Sequence, residues 1–144
     1  MATEASNKIK FLLAKKAIDF SADTFKIILM QSGFTFNKDT HEGYANVSAS
    51  ELGTGNGYTA GGFTLSGVTV TEDDTNDRCE VAWNNASWTA SGGPIGPSPG
   101  AIIYDDTVTT PTADPVIGYI DFGGNQSQAG GGVATISNIK FRVI

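Results

Sequence analysis

GTGNGYTAGGFTLSGVTVT, residues 53–71, joins the densest glycine cluster of the chain to an alternating apolar segment. Glycines packed this closely either cradle a phosphate or let the backbone turn. A Walker loop needs a Lys followed by Ser or Thr after its last glycine, and here Phe63-Thr64 follows instead. The dinucleotide fingerprint needs a third glycine at a fixed offset and a helix to present its N-terminus to the phosphate. Gly55-Asn-Gly57 runs on as Tyr-Thr-Ala, and Phe63, Leu65, Val68 and Val70 then alternate as in a strand. The stretch therefore reads as a turn whose glycines supply positive φ. The phase slips once near Gly67, which predicts a bulge there.

Outward from this stretch the strand signals recur. Thr24–Gln31 is β-branched and apolar enough for a central strand. Arg78–Thr89 places Cys79, Val81 and Trp83 on one face, then breaks at Asn84-Asn85 before Trp88. Ala101–Tyr104, Val116–Phe122, Gly132–Ser137 and Ile139–Ile144 carry further short apolar patterns. Ser91–Gly100, with Pro94, Pro97 and Pro99, reads as a crossing loop because proline removes backbone donors. Gly123-Gly-Asn-Gln reads as a hairpin turn, and residues 34–52 as an irregular excursion with one helical turn near Val47–Glu51. The only helix of any length is expected over 8–17, with Ile9, Leu12, Leu13 and Ala17 on one face and Asn7 as its N-cap. Residues 1–6 read as a flexible arm.

Seven to nine short strands spaced by turns predict an all-β fold, an antiparallel β-sandwich, jelly-roll-like or immunoglobulin-like, with one short N-terminal helix. At 144 residues and 15.0 kDa the chain is expected to form one domain, residues 1–144. With 18 glycines and five prolines, turns are abundant.

The formal net charge is −6, which repels phosphate backbones and argues against nucleic-acid binding. The apolar runs are far shorter than the ~20 residues a membrane helix needs. No signal peptide is visible, so the expected place of synthesis is a cytoplasm. The sequons at Asn46, Asn85 and Asn125 are expected to be chance matches. Cys79 is the only cysteine, so no intrachain disulfide can form.

Reaction chemistry is sparse. His41 is the only histidine and Cys79 the only thiol; a dyad of the two would meet a minimal nucleophile template, but the register of Cys79 with Val81 and Trp83 predicts a buried, inert thiol. One Cys and one His cannot make a four-ligand zinc site. Asp73, Asp74, Asn76 and Asp77 supply oxygens without EF-hand spacing, and turns collect Asp and Asn for backbone reasons; Asp105-Asp106 reads the same way. No catalytic residue, cofactor or metal is expected, and no enzyme.

Three stretches occur together in order: Ala17–Leu29, Gly55–Gly62 and Val116–Gly124, with Trp83 and Trp88 between the last two. They resemble a family of small tailed-bacteriophage virion structural proteins, over about residues 8–125, with Asp39-Thr-His41 fitting the same pattern. The resemblance implies a non-enzymatic protein of the particle, located in the virion after assembly in the host cytoplasm. A capsid decoration or cement protein is the implied role, contacting the major capsid protein or other virion proteins as a dimer or trimer. The runner-up is a tail, fibre or host-attachment module that binds glycan. Candidate contact residues are Ile9, Leu12 and Leu13 of the N-terminal segment, Pro94, Ile95, Pro97 and Pro99 of the proline-rich loop, and Trp88 as an exposed aromatic. The bland alternative is that both segments cap the ends of the sandwich.

Overall fold

The alternation that begins at Phe63 is realised as part of an antiparallel β-sandwich, described over residues 2–144 by a computed structural model. One layer is a five-stranded sheet in the order β1-β8-β7-β2-β3, comprising β1 (Ala2–Ala5), β8 (Val116–Gln128), β7 (Ile95–Asp105), β2 (Phe25–Leu29) and β3 (Phe63–Thr64). The facing layer is built from β4 (Thr69–Asp73), β5 (Arg78–Trp83), β6 (Ala86–Thr89), β9 (Val133–Ile136) and β10 (Ile139–Val143). It pairs as β10-β5-β4 and β6-β9. These two pieces are one bent ribbon. Trp83 faces Ile139 and Ala86 faces Ile136, so the register runs on unbroken across Asn84-Asn85 and Ser137-Asn138.

The main core lies between the layers. Phe25, Ile27, Ala101, Ile103, Ile117 and Ile120 of the large sheet meet Val81, Trp83, Trp88, Ile139 and Phe141 of the ribbon. Phe20, Phe25 and Trp83 form an aromatic cluster there, with ring centroids 5.3–6.2 Å apart. A second, smaller core covers the other face of the large sheet. Ile28, Met30, Ile102, Tyr104 and Tyr119 pack against Val47, Phe34, Phe36 and Tyr44 of the excursion. That excursion contains α2 (Tyr44–Val47) and a 3-10 turn, Ser48–Ser50, close to where a helical turn was expected. The large sheet is thus buried on both faces, which explains why β2 and the Ala101–Tyr104 half of β7 read as near-continuous apolar runs.

The structure corrects six local expectations. Residues 2–5 of the expected arm are an edge strand, paired with β8 from Ala2–Asp121 to Ala5–Gly118; Met1 lies outside the described residues. The helix α1 is Lys8–Ala14, shorter than expected, because Lys16 adopts φ +55 and ends it. Asn7 does not cap it: its own backbone is helical and its side-chain amide donates to Asp39. The proline-rich segment belongs to β7, since Pro97 and Pro99 fall at the two register shifts between Ile95, Ser98 and Gly100, where the ladder needs no N–H from them. Gly123-Gly124 do not turn the chain. Between Ser98–Gln126 and Gly100–Asp121, β7 advances two residues and β8 five, so the glycines form a bulge within one long strand. Gly67, for its part, marks a crossing from one layer to the other between β3 and β4 rather than a bulge in a continuous strand.

Gly62 shows how tightly the opening loop is seated. Its φ is +82, and a Cβ there would stand 2.1 Å from the carbonyl oxygen of Ile27 in β2. Gly62→Ala is therefore expected to lower the unfolding free energy by roughly 2–4 kcal/mol, combining backbone strain with overpacking. Urea denaturation checks this, with Gly123→Ala as the comparison, because Gly123 has φ +78 but open space around it. Equal losses in the two variants would show that the contact with Ile27 is irrelevant.

Candidate functional site

The glycine loop is organised by one carboxylate. Glu51 follows the 3-10 turn and is 5% exposed. Its side chain accepts hydrogen bonds from the Tyr58 hydroxyl at 2.7 Å, the Gly61 N–H at 2.7 Å and the Tyr44 hydroxyl. The Tyr58 oxygen in turn accepts the Leu29 N–H at 3.1 Å, and the Tyr104 hydroxyl donates to the Gly61 carbonyl at 2.9 Å. Tyr44 stacks on Tyr104 with centroids 4.7 Å apart. Burial, with Glu51 beside it, pushes the Tyr44 phenol up to about 12, and burial pushes those of Tyr58 and Tyr104 higher still. All three remain proton donors at any physiological pH. The loop is thus fastened to the sheet and the excursion through Tyr58 and Gly61, and a strand rather than a helix follows it, so no helix N-terminus is turned toward it.

Sequence reasoning missed Glu51. Its only signal is position: an acidic residue two places before a glycine cluster, with Tyr44 and Tyr58 seven residues to either side. Replacing the Tyr58 hydroxyl by hydrogen leaves the carboxylate short of a donor and the Leu29 N–H without its acceptor. Tyr58→Phe is expected to cost roughly 2–3 kcal/mol in urea unfolding, and a loss within error of zero would show that the network is dispensable.

Asp105 is the second buried acid and is fully inaccessible. It ends β7 and folds back on the next turn, its Oδ1 accepting the N–H groups of Thr107 at 2.8 Å and Val108 at 3.3 Å. Its Oδ2 is buried with no donor. Asp23, whose carboxylate accepts the Asp19 N–H at 2.8 Å, is its acidic neighbour. Burial first, then the Asp23 carboxyl, push Asp105 from 3.8 up to about 7 against the pull of the two backbone donors. Burial and an acidic neighbour both favour the protonated form of Asp105.

The consequence for stability has a definite sign. The folded protein holds this proton more tightly than the unfolded chain, so the stabilisation is complete below about pH 4 and is lost as pH rises through about 7. Each tenfold in proton affinity is worth about 1.4 kcal/mol, so the window contributes at most about 4 kcal/mol. Asp73 and Glu80, held below the usual carboxylate range by Asn76 and by Lys140 respectively, act in the opposite sense at acid pH. The difference between wild type and Asp105→Asn isolates the buried acid. The variant is expected to melt at higher temperature than wild type at pH 8 and to lack the decline between pH 4 and 7; parallel melting curves for both proteins would sink this account.

The remaining sequence candidates fall as follows. His41 closes the Asn37–His41 turn, its Nδ1 accepting the Asn37 N–H at 3.1 Å, and stacks on Phe34 with centroids 5.3 Å apart. Burial lowers its pKa. Cys79 is half-buried against the main core, on the other side of the large sheet from the Phe34 and Phe36 that hold His41, so the two form no dyad. The Asp73 carboxylate is engaged by Asn76 and Arg78 within its turn. Among the described residues no three His, Cys, Asp or Glu side chains are grouped as metal ligands. No helix among them is long and apolar enough to cross a membrane.

Of the candidate contacts, Ile9, Leu12 and Ile95 lie in this chain's own core. Leu13 and Pro99 are half-buried, and Pro94 and Pro97 are exposed. Trp88 is not the exposed aromatic expected. The ribbon keeps its register through the bend, so Ala86 and Trp88 both point inward, and Trp88 packs on Tyr58 and Phe63 at 5.7 and 5.8 Å. Only part of its ring reaches a cleft of about 310 Å³, whose other walls include Phe122, Gln126, Ser127, Gln128 and Thr135.

A second cleft, of about 340 Å³, lies on the opposite face of the large sheet. Phe34 and Phe36 alternate along an extended segment and pack on Tyr119 with centroids 5.7 and 5.5 Å away. Gly100 opposite leaves room for that tyrosine, since a Cβ there would stand 2.3 Å from its ring. Glu4, facing Tyr119 across the β1–β8 ladder, and Asp121, two residues along β8, stand on the same side of the sheet. Comparison with protein-family models, curated proteins and solved structures finds no match to this chain.

Proposed function

We propose that this chain is a structural protein of a tailed-bacteriophage particle, acting as a decoration or cement protein bound to the outer shell. The observation that supports this most is where the three stretches that carry the resemblance sit. Ala17–Leu29 leads into and forms β2, Gly55–Gly62 is the loop fastened on Glu51, and Val116–Gly124 forms the long strand β8. All three are framework rather than reaction chemistry, which suits a structural role. A shape fixed on both faces of its main sheet suits a protein whose work is to fit against neighbours in many copies, and the net charge of −6 keeps free copies apart in solution.

A second reading, a tail, fibre or host-attachment module, draws support from the cleft beside Trp88. Its amide and hydroxyl rim of Gln126, Ser127, Gln128 and Thr135 carries no charge and suits a neutral saccharide. Copy number separates the two. Quantitative mass spectrometry of purified particles is expected to find the protein in proportion to the capsomers, and particles stripped of it are expected to lose heat resistance. A handful of copies at one vertex would overturn the decoration reading in favour of the second; absence from purified particles would overturn both.

A further inference from the structure

The aromatic cleft on the excursion side has the makings of a cation site. A positive charge is attracted to the face of an aromatic ring, and the attraction grows when the site is partly desolvated and carboxylates stand at its edge. Here the rings of Phe34 and Phe36 each stand within 6 Å of that of Tyr119. The cleft they line also contains Glu4, Pro99 and Asp121, and no Lys or Arg side chain contributes to its walls. Asp121 is already oriented, because its Oδ1 accepts the Gly123 N–H at 2.8 Å. Glu4 forms no ion pair among the described residues.

We propose that this cleft is a docking site for an arginine or lysine side chain of a partner protein. The charge of the walls selects a cation, and the rings select one with a flat or apolar body, which arginine supplies through its guanidinium plane and lysine through its methylene stem. A polypeptide is favoured over a free ammonium compound by the surroundings. The strand β1 beside the cleft is the last of the sheet, hydrogen-bonded to β8 alone. An extended segment laid along β1 would put every second side chain on the face that carries Glu4 and Tyr119. The inference goes beyond the virion reading and does not depend on it, since the chemistry is the same for any partner with a basic extended segment.

The test uses the full chain and a short extended peptide with one central arginine, against its twin carrying neutral citrulline at that position. Binding is followed through the amide resonances of Phe34, Phe36 and Tyr119. The arginine peptide is expected to shift these resonances and to bind at least about threefold more tightly than the citrulline peptide. Glu4→Gln and Asp121→Asn, both exposed and isosteric, are each expected to weaken it about two- to fivefold while leaving the melting temperature unchanged, and added salt to weaken it further. Phe36→Ala is expected to abolish the difference between the two peptides; because this variant can also loosen the excursion, the two carboxylate variants decide independently. Equal binding of the two peptides, no shift at these three residues, or full affinity in both carboxylate variants overturns the proposal. Tighter binding of choline than of the arginine peptide likewise overturns it, in favour of a lipid headgroup.

Discussion

The buried carboxylate of Glu51 is the point on which the two cores depend. A buried carboxylate is tolerable only when donors replace the lost solvent, and the donors here come from the excursion and from the glycine loop. Tyr44 arrives from the excursion over the outer face of the large sheet, Tyr58 from the glycine loop, and the Gly61 N–H from the end of that loop. The Tyr58 hydroxyl also receives the Leu29 N–H, which ties the network to β2, and Gly61 receives Tyr104 of β7. Loop, excursion and sheet cannot separate without leaving a buried acid unsatisfied. The ring of Tyr58 lies against Trp88, so the same residue reaches the inner core.

That arrangement explains the geometry around it. With the loop held down, β3 is kept as the short fifth strand beside β2, and the chain crosses to the ribbon through Gly67. The ribbon then needs only to bend once, at Asn84-Asn85 and Ser137-Asn138, to lay β5 and β10 over one part of the sheet and β6 and β9 over another. Its inward face carries the largest rings of the chain, which is why Trp83 and Trp88 are both buried despite the break between them.

The sequence made the strands legible, because β-branched and apolar runs mark a buried strand and alternation a half-buried one: the centre of Thr24–Gln31, Phe25–Leu29, together with Arg78–Trp83 and Val116–Phe122, lies in strands where expected. It misled where residue type stood in for register. Prolines 97 and 99 look like loop punctuation until the register shifts of β7 show that no hydrogen bond is missing there, and Gly123-Gly124 look like a turn until β8 continues through them. Trp88 looked accessible because a broken pattern resembles an ended strand; a bend that preserves register is invisible without the partner strand. Glu51 was illegible for a related reason: its donors lie seven and ten residues away in a stretch with no regular period. Phe34 and Phe36 carried a readable two-residue alternation, but their meaning rests on Tyr119 and Glu4, which only the pairing of β1 with β8 brings alongside.

Four carboxylates show how one chemical group takes three roles according to the donors within reach. Glu51 has three donors and serves as a rigid junction. Asp105 has two donors for one oxygen and none for the other, and burial beside Asp23 holds its pKa up to about 7. Glu4 and Asp121 stand exposed at an aromatic cleft whose walls hold no Lys or Arg, so whatever positive charge meets them must come from outside the cleft itself. Acidic composition alone would predict only repulsion from polyanions. Its distribution does more: the buried acids fix the scaffold, and the exposed pair gives the aromatic cleft a negative lining.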